Sequence, residues 1–166
     1  QPVVVAVAIG LFISYGWQYF KKHQANVRFQ AAAIYAQLQT AEKDQNKSSV
    51  KSYANTLKND YKRTIYASLG QMVLAKQALQ SHNYKVADQS LQWVIKKDQS
   101  PWLVVLARFN LAQSLQSQGQ YNQALEMLDK VPEAFKPLVL EEKSNIYLAQ
   151  DKKHEAAEAL EQAKNL

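Results

Sequence analysis

Three stretches of this chain align with one another, and their spacing constrains the fold more than any other feature. Ala75, Ala87, Leu91 and Val94 recur 37 positions later as Ala112, Ala124, Leu128 and Val131, with Leu74 matched by Leu111, Ala78 by Leu115 and Tyr84 by Tyr121. A third copy follows 32 positions after the second, with Ser144, Tyr147, Ala156, Leu160 and Ala163, and Leu140 ahead of them. Each copy holds two apolar stretches of helical period. A pair of short helices cannot bury its apolar face alone, so successive pairs must stack. Ala75, Ala112 and Ser144 on the first helices, and Ala87, Ala124 and Ala156 on the second, are small enough for the two helices of a pair to approach closely. Leu91, Leu128 and Leu160 are expected to fill the gap to the next pair. With only 4 Gly and 4 Pro in 166 residues, the chain has too few punctuators for a sandwich or barrel. The fold class is all-α.

The repeat length is that of the tetratricopeptide repeat, about 34 residues. Gln118-Gly119-Gln120-Tyr121 followed by Ala124-Leu125 is the clearest match, whereas the first copy has His82 and the third Asp151 at the position of the turn glycine. Helices are expected at 64–81, 84–97, 102–117, 121–131, 136–150 and 153–164, grouped into repeats over about 68–101, 105–136 and 137–166. Ahead of them, Phe29, Ala32, Ala33 and Ala36, then the polar break Asp44–Ser49, then Val50, Tyr53, Ala54, Leu57 and Tyr61 predict a degenerate helical hairpin. The domain organisation is thus an anchor at 1–22, a membrane-proximal hairpin at 23–63 and an α-solenoid at 64–166.

The anchor is read from Val3 to Phe20, a stretch without a charged residue. Its apolar positions, among them Val3, Ile9, Leu11, Phe12 and Ile13, go all the way round a helix of about 27 Å, close to the thickness of a bilayer core. Tyr15, Trp17, Tyr19 and Phe20 crowd its end and Lys21 and Lys22 follow at once, the order of an aromatic belt and charged heads at a membrane surface. A cleaved signal peptide would end in small residues rather than these aromatics. A surface helix would need a polar face. Small residues Ala6, Gly10 and Ser14 recur at the four-residue spacing that helix contacts in membranes prefer. By the charge rule Lys21, Lys22 and Arg28 favour the cytoplasmic side, but the chain opens on Gln1-Pro2, so a preceding flank is expected to complete the comparison.

Charge is uneven beyond the anchor. Residues 21–125 carry 14 bases and 5 acids, and residues 126–166 carry 6 bases and 9 acids. The net charge of +6 permits nucleic acid or anionic lipid as partners. The absence of cysteine excludes disulfides, thiolate metal sites and thiol nucleophiles, and leaves the compartment open. His23, His82 and His154 stand far apart at helix ends or turns, and Glu141, Glu142, Glu155, Glu158 and Glu161 read as a solvated face beside lysines. No phosphate-cradling loop, nucleophile elbow or zinc-protease motif occurs. Neither catalysis nor a cofactor nor a metal is expected. Packing accounts for Tyr84, Tyr121 and Tyr147, while Trp93 and Trp102, flanking the Lys96–Pro101 connection, are expected to close its apolar side. A partly exposed anchor for a partner is the alternative.

What remains is a binding surface. By repeat position the first helices should present Leu69, Met72, Lys76 and Leu79, then Leu106, Phe109, Gln113 and Gln116, then Leu138, Glu141 and Asn145. Leu69 and Met72 stand where a carboxylate clamp would need polar groups, so the expected guest carries apolar side chains.

The N-terminal span, Thr64-Ile65-Tyr66-Ala67, Ala107-Arg108-Phe109-Asn110-Leu111-Ala112, Gln118-Gly119-Gln120-Tyr121 and Asn145-Ile146-Tyr147-Leu148-Ala149-Gln150 together resemble the YfgM family over essentially the whole chain from the span onward. The resemblance implies a tetratricopeptide-like ancillary subunit of the SecYEG translocon in the bacterial inner membrane. It further implies a single pass with the repeats in the periplasm, association with PpiD, a chaperone related to prolyl isomerases, and assistance to newly exported polypeptides. No catalytic residues come with it. The bases after the span depart from that orientation. They keep open a cytoplasm-facing adaptor for assembly of a secretion or pilus system, and a soluble nucleic-acid-binding domain is the third class.

Overall fold

The computed structural model describes the backbone of residues 2–98 and 100–165, and the side chains of Trp17 and of residues 21–98 and 100–165. The described residues form eight α-helices: α1 (Pro2–Lys43), α2 (Lys47–Asp60), α3 (Ile65–Gln80), α4 (Tyr84–Lys97), α5 (Pro101–Ser117), α6 (Tyr121–Asp129), α7 (Lys136–Ala149) and α8 (Lys153–Lys164). They fall into two compact units, Gln1–Ala67 and Ser68–Leu166.

In the first unit α1 continues without a break into the expected hairpin, and α2 folds back along it. Ala31, Leu38 and Ala41 of α1 and Val50, Ala54 and Leu57 of α2 are buried at helical spacing. Tyr61 donates its hydroxyl proton to Gln30 Oε1 at 3.3 Å, and the rings of Tyr35 and Tyr66 lie 5.7 Å apart. Burial, with the charge of Glu42 as a smaller contribution, raises the Tyr35 hydroxyl above its ordinary pKa against an opposing hydrogen bond from Gln39. The side chains of Val3, Ile9, Leu11, Phe12, Ile13, Tyr15, Tyr19 and Phe20 lie outside the described residues, and with them the expected membrane span. Among the described residues no helix is long and apolar enough to cross a membrane. Trp17 is exposed, with the Lys21 ammonium 5.5 Å from its ring centre, and Lys22 is exposed beside it.

The second unit is built from helix pairs around one core. Ala75, Leu91, Val94, Leu103, Ala107, Leu111, Ala112, Ala124, Leu128 and Ile146 meet in it, and Leu69, Met72, Trp93 and Phe109 pack against it. The small residue of the third copy has a further role, since the buried Ser144 hydroxyl donates to the Ala156 carbonyl at 3.0 Å and ties α7 to α8. Leu160 departs from expectation. It is 40 % exposed, whereas Leu91 and Leu128 at the equivalent positions are fully buried. Leu160 sits on the last described helix, where no further described pair covers it.

One turn geometry recurs at four helix ends. Gln45, His82, Gly119 and Asp151 all adopt φ between 53° and 73°. Behind each, the next residue's amide bonds a carbonyl five positions back: Asn46 to Ala41, Asn83 to Ala78, Gln120 to Leu115 and Lys152 to Tyr147. This is the Schellman arrangement, and the residue that closes one helix is the N-cap of the next. Asn46 and Asn83 also accept a side-chain cap bond from Ser49 and Val86. His82 and Asp151 hold a left-handed conformation at a steric cost that Gly119 avoids. Asp151→Gly should therefore stabilise the protein by about 0.5–1 kcal/mol. Gly119→Ala should cost about 1 kcal/mol from backbone strain alone, because an added Cβ would meet nothing within 4 Å. Urea unfolding of the two variants checks both signs.

Helix α6 stops at Asp129, two residues before the expected end, because Pro132 disfavours helical backbone at Val131. A single 3-10 turn, Glu133–Phe135, then leads into α7.

Candidate partner-binding face

The first helices of the pairs set out the expected face in the second unit. On α5, Leu106 and Gln113 are exposed and Phe109 and Gln116 half-buried. On α7, Leu138, Glu141 and Asn145 are exposed. On α3, Lys76 is exposed and Leu69, Met72 and Leu79 half-buried. The Gln116 side-chain amide donates to the Asn145 carbonyl at 3.2 Å, which brings α5 and α7 together at this face. Leu69, Met72 and Phe109 are partly buried and pack against the core.

Two further exposed residues lie on the same helix stripes, Trp102 ahead of the expected set and Leu148 at a repeat position that the set left out. Trp102, expected to close the connection before α5, is instead 54 % exposed: it lies in the first turn of α5, one turn ahead of Leu106. Trp93 does pack against the core. Leu148 is 53 % exposed one turn beyond Asn145, at the position equivalent to Gln116. Trp102, Leu106, Leu138 and Leu148 thus leave large apolar side chains in solvent on the stripes of α5 and α7. Exposed large apolar side chains that recur along a helix in this way make a candidate interaction surface.

Behind the face, a polar link crosses between pairs. Asp88 on α4 accepts from the Ser114 hydroxyl of α5 at 2.5 Å and from the side-chain amide of Gln118, the residue that caps α5, at 3.0 Å. Ser114 is fully buried. Removing the carboxylate by Asp88→Ala should cost about 1.5–3 kcal/mol, as for hydrogen bonds to a charged group, and Ser114→Ala should cost less because Gln118 still engages Asp88. Thermal unfolding of the single and double variants gives the comparison. A second link, Lys143 to Asp129 at 2.6 Å, joins α7 to α6.

Among the described residues no three of the His, Cys, Asp and Glu side chains gather as metal ligands would. His82 occupies a left-handed turn with Nδ1 3.1 Å from the Tyr84 hydroxyl, and His154 is exposed, 3.3 Å from Glu158. Glu142 accepts from Asn145 at 3.4 Å, and Glu141, Glu155, Glu158 and Glu161 are exposed.

The tetratricopeptide repeat-like domain family model matches residues 1–166. Three relatives, each named an ancillary SecYEG translocon subunit, are similar to the chain. That of Neisseria gonorrhoeae is 30 % identical over 165 residues, covering 97 % of this chain and 77 % of its own. That of Aggregatibacter actinomycetemcomitans is 27 % identical over 131 residues, 79 % of this chain and 64 % of its own. That of Haemophilus influenzae is 26 % identical over 164 residues, 98 % and 80 % of the two chains.

Proposed function

This chain belongs to the YfgM family of ancillary SecYEG translocon subunits with a tetratricopeptide repeat-like domain, and from that premise we propose that it is a membrane-anchored, non-catalytic scaffold of the protein-export machinery. In this reading Val3–Phe20 spans the inner membrane beside the translocon, and the helix pairs project into the periplasm. The α5 and α7 stripe there holds a chaperone of the PpiD kind and shelters newly exported polypeptides. The observation that carries the reading is the exposed apolar set Trp102, Leu106, Leu138 and Leu148 on a fold whose relatives are named for the translocon. A guest with apolar side chains in helical or extended form fits such a face.

Lys21, Lys22 and Arg28 immediately after the span favour the second reading, a cytoplasm-facing adaptor for a secretion or pilus system. The two separate cleanly because the sequence has no cysteine. In His154→Cys, at an exposed position on α8, the introduced thiol is the single one within residues 1–166. Labelling of intact cells by a membrane-impermeant maleimide is expected in the periplasmic orientation. Protection until the inner membrane is opened would establish the adaptor instead.

A further inference from the structure

The net charge of the protein is carried by one unit. Residues 21–67 hold 9 bases and 3 acids, which accounts for the whole +6, while residues 68–166 hold 11 of each. Within that unit the charge is again concentrated at one end. Because α2 runs back along α1, with Tyr61 bonded to Gln30, the close of α2 returns to the level of Gln30, about 15 Å and nearly three turns beyond residue 20. Lys21, Lys22 and Arg28 on α1 thereby share one end of the hairpin with Lys58, Lys62 and Arg63, and Asp60 is the one acid among them. All but the half-buried Lys58 are exposed. The opposite end, at the turn, is nearly balanced: Lys43, Lys47 and Lys51 face Glu42 and Asp44.

We propose that this basic collar binds the anionic phospholipid headgroups of the leaflet from which α1 emerges. The inference rests on the reading of Val3–Phe20 as a span. Along α1, Lys22 then stands about 3 Å, Arg28 about 12 Å and Gln30, which Tyr61 meets, about 15 Å beyond residue 20, so Lys21 and Lys22 lie within one screening length, about 10 Å, of the phosphates, and Arg28, Lys62 and Arg63 come to it by the reach of their side chains. Lys and Arg lay their apolar stems along the helix and extend their charge toward the interface. A base at such a surface strengthens attraction to anionic lipid by about fivefold. The collar fixes the height of the hairpin above the membrane.

The test uses the full chain reconstituted in phosphatidylcholine vesicles containing phosphatidylglycerol. The association of spin-labelled phosphatidylglycerol is measured against that of spin-labelled phosphatidylcholine. A several-fold preference for phosphatidylglycerol is expected at low salt and should vanish in high salt. Lys22→Gln/Lys62→Gln/Arg63→Gln should abolish it. Lys43→Gln/Lys47→Gln/Lys51→Gln, which removes the same charge from the other end of the hairpin, should leave it intact. Equal association of the two lipids with the wild-type chain overturns the collar, as does equal loss in both triple variants, and so does salt-sensitive binding of duplex DNA without lipid preference. Alkaline carbonate extraction separates the premises: a chain that stays in the vesicles without lipid preference defeats the collar alone, whereas a chain that is stripped off defeats the span and the collar together.

Discussion

Leu128→Ala will destabilise the repeat unit by about 2–5 kcal/mol, and Leu160→Ala by less than about 1 kcal/mol, although the two leucines occupy the same repeat position. The difference follows from what covers them. Leu128 is fully buried among Leu91, Leu111, Leu115 and Val139 in the core shared by successive pairs, so truncation loses both transfer free energy and packing around a cavity. Leu160 is already 40 % exposed on α8, and removing it leaves no enclosed void. Chemical denaturation followed by circular dichroism reads both values. Equal costs would mean that the repeats do not stack on one another through these leucines.

Leu106→Glu/Leu138→Glu should abolish partner capture by the full chain while shifting unfolding little. Both side chains are about half in solvent, 44 % and 53 % exposed, so a carboxylate at either remains hydrated and costs the fold little. An apolar guest seated there would have to bury two charges without partners, a penalty of several kcal/mol and hence more than about a hundredfold in affinity. Capture is compared with that by Gln123→Glu, a charge change on an exposed position of α6. Unchanged capture by the double variant would remove the α5 and α7 stripe as the binding face.

Most of this architecture is legible in the residues because helix pairs write their packing locally. Ala75, Ala87, Ala112, Ala124, Ser144 and Ala156 are small and buried as their spacing requires. The helices 84–97 and 153–164 begin and end where their caps and polar breaks predict. The turns were legible only through alignment: neither His82 nor Asp151 announces a left-handed backbone, yet both stand opposite Gly119 and both adopt it. What stayed hidden was set by relations between elements. Asp88 is a single carboxylate on α4 until Ser114 and Gln118 are brought to it across a helix interface, and no periodicity encodes that meeting. Trp102 was misread because an aromatic beside a connection looks like a closure, whereas its place in the first turn of α5 turns it to solvent. Leu148 could have been found from the same offset that related Gln116 to the third copy. Repeat position selects first-helix residues as candidates, but which of them stand in solvent, Leu106 and Leu138 against the half-buried Leu69, Met72 and Leu79, required burial to be known.

The most direct measurement is photocrosslinking in living cells, with a photoreactive amino acid placed at position 17 or at position 106 of the full chain and the partners identified by mass spectrometry. Translocon subunits crosslinked from position 17, together with a periplasmic chaperone from position 106, are the predicted result. Cytoplasmic proteins from position 106, or no translocon subunit from either position, would contradict a periplasmic scaffold of the export machinery.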